Sequence, residues 1–308
     1  MPPVPAHGIP HASVLVSVLA FLHRLEALRC LFRAARQLAL GDLKRPLSQV
    51  NLREGVPAVP TLNAEVAIIT PTRLLSERRL FLVELYESLC NQDVSWEWIL
   101  SLDGVHLSGL PAELSGDPRV KVVTIPREVG AGAARNFALN EVSAKWCTTA
   151  DDDDLLPEAS LSARLAHACT YNLGWTAGWS ADLHPDGSTT TWRCPTPPGF
   201  HAPGDVWCYW ESPDATIPIG PTTLLARTNL IRGSGGYAAL PQGEDYAYLV
   251  GITGTAHGAL IPTVVYHYRK HPEQMTAHPS YPILESRARR FAYSQGKHLA
   301  AKYGALQA

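Results

Sequence analysis

The six cysteines, at positions 30, 90, 147, 169, 194 and 208, include no C-x-x-C pair, which excludes the usual zinc ribbon or dithiol redox motif. Charge is sparse. Asp, Glu, Lys and Arg make up 18% of the chain, the net charge is −2, and no basic tail is present, so no footprint for nucleic acid exists. Long apolar runs are missing too: "VLVSVLAFL" at 14–22 ends at His23 and Arg24, too short to cross a bilayer. A basic leader with a cleavage site is also absent, which leads us to expect a cytoplasmic protein with reduced, structural cysteines. We find no internal repeat and no low-complexity segment. What is present is a 46% apolar fraction over 308 residues, enough for one large domain or two ordinary ones.

Residues 1–62 form a first part. It opens with Pro-rich "MPPVPAHGIP", and Val14, Val18, Phe21, Leu25, Leu28, Phe32, Ala35 and Ala39 then recur at heptad spacing before a Pro-containing linker. Three readings are open for this helix: packing on its own domain, a homodimer seam through residues 14–39, or a basic amphipathic helix on a membrane. From residue 65 strands and helices alternate. Strands are expected at 65–72, 96–104, 119–126 and 145–150, and helices at 76–92, capped by Ser76, and at 130–143. In the first helix Leu80 and Val83 are set on a different face from Glu84 and Glu87. This order predicts an α/β fold with a mostly parallel sheet flanked by helices. Beyond it we expect a helix at 156–172, an irregular region at 174–220 with a turn at "HPDGS", and a strand or strand–helix junction at 222–228. A helix at 243–254, a strand at 259–271 and a closing helix after residue 278 complete the chain.

The chemistry concentrates in "TTADDDDLLP" at 148–157. Four adjacent carboxylates repel, and they fall at the carboxyl end of a strand, where open α/β sheets place ligands. Hard cations such as Mg²⁺ and Mn²⁺ take carboxylate oxygens and keep sites for phosphate oxygens and water. A solvated acidic turn that caps a helix beginning near Pro157 gives the same pattern.

Six ordered blocks then narrow the choice: "VAIITPT" at 66–72, "LSLDG" at 100–104, "GAGAARNFAL" at 130–139, "KWCTTADDDDLLP" at 145–157, "GEDYAY" at 243–248 and "YRKHPEQMT" at 268–276. In order and rough spacing they resemble the family 2 glycosyltransferases of the GT-A fold, a Rossmann-like sheet. The resemblance covers about residues 65–277 and leaves the N-terminal helix outside. It implies a GT-A domain over 63–277, with a nucleotide-binding half at 63–157 and an acceptor half at 158–277, followed by a C-terminal helix at 278–308. Its D-x-D-D-x-x-P pattern falls on Asp151, Asp153, Asp154 and Pro157.

The resemblance makes Asp153 the candidate metal ligand, and Asp151 would contact ribose or donor sugar. Asp152 is a departure, since the family has a small residue there, and it leaves the register open by one position. Thr70, Pro71 and Thr72 would lie along the nucleotide base, and Asp103 resembles the acid that reads the base, with a plain Asp-Gly turn as the other reading. Arg135 is placed near the donor, paired with phosphate or with the acids themselves. Glu244 and Asp245 match the family's acid pair, Asp245 being the general base and Glu244 the second candidate. His271 matches a residue that completes the metal or diphosphate site, and Arg269 would neutralise the leaving diphosphate.

The resemblance therefore implies a metal-dependent, inverting transfer of a sugar from a nucleotide-sugar, by family habit a UDP-sugar, to a hydroxyl acceptor that is a small metabolite or a glycan. Trp175, Trp179, Trp192, Trp207 and Trp210 are either sugar-stacking platforms or core, and Asp182 and Glu211 are minor candidates for acceptor hydroxyls. Two other classes stay in view: nucleotidyl transfer to a sugar phosphate, and a non-catalytic sugar- or nucleotide-binding scaffold. The first strand leads into "TPTRLLSERR" and not into a glycine-rich phosphate loop, which weighs against nucleotidyl transfer.

Overall fold

The computed structural model describes residues 63–307, with side chains to 302. The heptad helix, the linker and the homodimer seam expected within residues 1–62 lie outside the described residues.

Strand β1 (Val66–Thr72) is buried along nearly its whole length because both faces are covered, as parallel strands at the centre of a sheet require, and its first four residues are all apolar. Its side chains alternate between two cores. Val66 and Ile68 join the cluster containing Leu82, Leu85 and Leu89, whereas Ala67 and Ile69 join the one containing Ala138 and Leu139. Parallel strands flank it: β2 (Trp96–Asp103) and β4 (Trp146–Thr149) pair with β1, and β3 (Val120–Ile125) pairs with β2.

Beyond β4 the pairing changes. The strands β5 (Trp175–Leu183), β6 (Thr189–Trp192), β7 (Gly199–His201), β8 (Leu225–Arg227) and β9 (Gly258–Arg269) extend the order to β3-β2-β1-β4-β8-β5-β9-β7, with β6 on β5. β8 runs antiparallel to β4 and to β5, while β5 and β9 are parallel. The β5–β6 hairpin turns where "HPDGS" predicts, with Gly187 at φ +81° and the His184 N–H donating to the Ser188 carbonyl at 2.9 Å.

The helices are α1 (Arg79–Cys90), α2 (Ala112–Ser115), α3 (Ala131–Asn140), α4 (Ser160–Thr170), α5 (Thr228–Gly233), α6 (Glu244–Thr253) and α7 (Tyr281–Gln307). α1 differs from expectation in two ways. Ser76 does not cap it, because residues 76–78 form a 3₁₀ turn and the Ser76 hydroxyl bonds Glu77 instead. The stripe it buries is Leu82, Leu85 and Leu89, whereas Leu80 is 63% exposed. α4 starts later than Pro157, since Leu155 pairs with His267 and Ala159 takes φ +57° before the helix begins. α7 packs against the 205–209 turn, where Gly296 lies under the Trp207 ring. No helix among the described residues is long and apolar enough to cross a membrane.

Candidate active site

The four acids tolerate one another because a turn gives each carboxylate its own set of partners, with Arg78 alone shared, by Asp152 and Asp153. The Asp154 N–H donates to the Asp151 carbonyl at 3.2 Å, which closes the turn directly after β4. Asp151 Oδ1 accepts Arg135 Nη2 at 2.5 Å. Asp152 accepts the Thr72 hydroxyl at 2.6 Å and Arg78 Nη1 at 3.0 Å. Asp153 Oδ2 lies 2.9 Å from His271 Nε2 and 3.0 Å from Arg78 Nη1. Asp154 is fully buried and accepts the Tyr266 hydroxyl and the Arg269 N–H, each at 2.8 Å. Burial, with the charges of Asp153 and Asp151, holds the Asp154 carboxyl well above the usual carboxylate range. Asp152 is also raised, mainly by burial, against the opposing hydrogen bond from Thr72.

Tyr266 pins this turn. Its oxygen accepts the Asp151 N–H at 3.0 Å while its proton goes to Asp154, so one side chain fixes both ends of the run. Arg78 and Tyr266 were not anticipated from sequence. A helix-start arginine carries no local mark, and the Tyr-His-Tyr alternation in β9 is the one signal that sets Tyr266 on a buried face.

Arg135 joins the turn to α6. It is 6% exposed, with Nη1 on Glu244 Oε1 at 2.6 Å, Nη2 on Asp151, and its guanidinium 5.3 Å from the Tyr237 ring centre. α3 comes this close because Gly132 has no side chain: a Cβ there would sit 2.6 Å from Glu244 Cγ. Glu244 is therefore committed to Arg135. Asp245, beside it, accepts the Tyr246 N–H at 2.9 Å, and its carboxyl is pushed up to about 7 by burial first and by the Glu244 charge second.

Three expectations change in detail. Thr70 is fully buried and its hydroxyl accepts Trp98 Nε1 at 2.9 Å, so its side chain faces the core and not a base. Asp103 is 4% exposed, and its two oxygens accept the Val129 and Gly130 N–H groups at 2.7 and 3.0 Å. It holds the loop where Gly130, at φ +89°, opens α3. Arg269 does not stand free for a diphosphate: Nε donates to the Asp153 carbonyl at 2.7 Å, Nη2 to Glu84 at 2.5 Å, and the guanidinium lies 4.2 Å from the Phe81 ring centre. It clamps the end of β9 to α1. Pro71, half-buried, and Thr72 end β1 beside the acidic turn.

The tryptophans divide. Trp175, Trp207 and Trp210 are core, whereas Trp179 and Trp192 are half-buried, with the Arg193 guanidinium 4.8 Å from the Trp179 ring centre. Asp182 pairs with Lys270 at 3.1 Å and Glu211 is exposed. Cys90, Cys147, Cys169, Cys194 and Cys208 are all free thiols.

Among the described residues no group of three or more His, Cys, Asp or Glu side chains is arranged to hold a metal by itself. Asp153 and His271 nevertheless converge on one point, a carboxylate oxygen and an imidazole nitrogen 2.9 Å apart. That two-residue donor set fits a cation that completes its shell with phosphate oxygens and water.

Comparison with known proteins agrees with this architecture. Residues 68–218 match the family described as Glycosyl transferase family 2. No curated protein matches the chain. Among solved structures it is similar to S. aureus TarS 1–349 in complex with UDP-GlcNAc, at 15% identity and a TM-score of 0.60, over 78% of this chain and 71% of that one. S. aureus TarS 1–349 without a named ligand gives 15% identity and a TM-score of 0.53, over 67% of this chain and 60% of that one. Against the structure of S. aureus TarS itself the values are 16% and 0.52, over 68% of this chain and 37% of that one. The chain thus spans well under two thirds of that longer relative. At these identities the likeness speaks for the GT-A fold.

Proposed function

The chain carries a family 2 glycosyl transferase domain on a GT-A fold, and from that premise we propose that it moves a sugar from a nucleoside diphosphate sugar to a hydroxyl acceptor with inversion at the anomeric carbon. The donor class is suggested by the UDP-GlcNAc bound in the TarS complex. The observation that carries the reading is the Arg135 bridge, which ties the acidic turn and the α6 acids into one buried constellation.

In this reading Asp245 is the general base. A carboxyl raised to about 7 is ionised in part at neutral pH and accepts a proton more readily than an ordinary one. Arg135 holds Glu244 through the 2.6 Å bond to its Oε1, so the two neighbouring acids have separate tasks. Asp151, one-third exposed, is the member of the run open to ribose or sugar hydroxyls. Asp153 and His271 would hold a divalent cation, which when bound supplies a Lewis acid for the leaving diphosphate. Arg269 holds the Asp153 carbonyl, and Tyr266 holds Asp151 and Asp154 on either side of that residue. Thr72 and Asp152 are fixed to one another at the end of β1.

The test is hydrolysis of a panel of nucleotide sugars, with and without Mn²⁺, by the wild type and by Asp153→Asn. Metal-dependent release from one donor, lost in the variant, is the expected result. Absence of both donor cleavage and nucleotide binding would sink the reading.

A further inference from the structure

Two groups claim the same oxygen of Asp153. His271 Nε2 lies 2.9 Å from Oδ2, and Arg78 Nη1 lies 3.0 Å from it. The same Nη1 is 3.0 Å from Asp152 Oδ1, and Nη2 donates to the Glu273 carbonyl at 2.9 Å. Asp152 is itself steadied by Thr72 through its other oxygen. The Arg78 side chain is only 16% exposed, and its Nε is buried with no partner. The guanidinium is therefore held by two adjacent carboxylates and a carbonyl from a second, distant segment of the chain.

A cation bound by Asp153 and His271 would have to share Oδ2 with this guanidinium. Two positive charges on one carboxylate oxygen repel, and a site so shielded from water and salt screens that repulsion poorly. We propose that Arg78 is a positioning residue that serves as resident counter-cation of the acidic turn: it competes with the divalent cation for Asp153 and withdraws onto Asp152 alone when the cation arrives. This gives Asp152, the carboxylate without a counterpart in the family pattern, a task as the parking place of Arg78. It also sets an order of binding. The free protein holds the cation weakly, and the cation enters with the nucleoside diphosphate, whose negative charge offsets the repulsion. The proposal rests on the reading above that Asp153 and His271 are the metal ligands.

The experiment is calorimetric titration of the full chain with Mn²⁺, alone and with UDP as the probe, for the wild type, Arg78→Gln, Arg78→Lys and Arg79→Gln. Arg79 is exposed and one residue away, so its variant removes the same formal charge without touching Asp153. Removal of the competitor should tighten Mn²⁺ binding without nucleotide by about tenfold or more, the scale of effects from residues that touch metal ligands. It should also shrink the enhancement that UDP gives. Arg79→Gln should match the wild type. Arg78→Lys should fall between, because an ammonium keeps the charge but gives up the Nη2 bond to the Glu273 carbonyl that holds the guanidinium in place. Melting in EDTA reports whether each variant folds, and Arg78→Lys carries the comparison if Arg78→Gln does not. Equal Mn²⁺ affinity in the wild type and Arg78→Gln, with UDP-linked binding intact in both, would overturn the competition while leaving the metal site standing. An equal gain in Arg79→Gln would also overturn it, as a general charge effect. Failure of the wild type to bind Mn²⁺ even with UDP would remove the metal site and the proposal together.

Discussion

The two ends of the sheet are built by different means. From β3 to β4 every pairing is parallel, and the strand ends deliver Thr72, Asp103 and the acidic turn to one edge. From β8 to β7 the directions mix, and residues 193–224 contain little regular structure beyond β7 and two 3₁₀ turns. That stretch is held by single anchors: Trp207 Nε1 on Thr253 at 3.0 Å, Trp210 Nε1 on the Ala215 carbonyl at 3.3 Å, and Arg289 on the Pro213 and Ala215 carbonyls. Repeated strand–helix units make a rigid frame, which suits the nucleotide-sugar donor proposed above. Individually anchored loops tolerate change more readily, which suits the acceptor of that proposal.

The comparison breaks most sharply at Asp245. Asp245→Asn should lower the transfer kcat by about 10²–10⁴-fold, the usual contribution of a positioned base, and leave UDP affinity unchanged in calorimetry. Loss of UDP binding would show that the two sides are not separable. The pH dependence has two signs. Below about 7 the Asp245 carboxyl keeps its proton and accepts none, so kcat/KM should rise through that value. Its folded value lies above the ordinary one, so folding takes up a proton between about 4 and 7. Stability from this group is therefore full below that window and is lost as pH rises through it. Asp245→Asn should accordingly flatten the change in melting temperature across the window, and an unchanged slope would assign it to other groups.

Arg135 is the side chain where the two sides meet. Arg135→Met leaves Asp151 and Glu244 without their shared partner, and denaturant unfolding should record a loss of about 3–5 kcal/mol, the scale for breaking a buried ion pair. A loss below about 1 kcal/mol would mean that water replaces the guanidinium.

Tyr266→Phe sharpens the donor side alone. It leaves Asp154 and the Asp151 N–H each short of a partner, a cost of about 1–3 kcal/mol, and should raise KM for the donor more than it lowers kcat. The smallest effect is expected at Trp179→Ala, within about 0.5–1.5 kcal/mol of acceptor binding if the ring stacks on it. A change in donor KM instead would move Trp179 to the other side of the comparison.

The β3–β4 end of the sheet was readable because its pattern is local. Short, mostly apolar segments bounded by turn residues name buried parallel strands, and β1, β2 and β4 start and stop within a residue or two of their expected ends. Two of the site's features were hidden for a physical reason. Arg78 reaches Glu273 across 195 positions, and Tyr266 reaches Asp154 across 112, so no window of sequence contains either contact. Thr70 misled in the opposite sense. Alternation along β1 turns its hydroxyl toward Trp98, although its neighbours end at the site.

By itself the sequence determined the α/β class, the place of the acidic turn at a strand's carboxyl end, and the acid pair that starts α6, because period, turn chemistry and motif spacing are properties of neighbouring residues. Only the tertiary structure decided which acid faces which partner. Four adjacent carboxylates are chemically identical until arginines, a histidine and a tyrosine from distant segments are folded around them and make each one different.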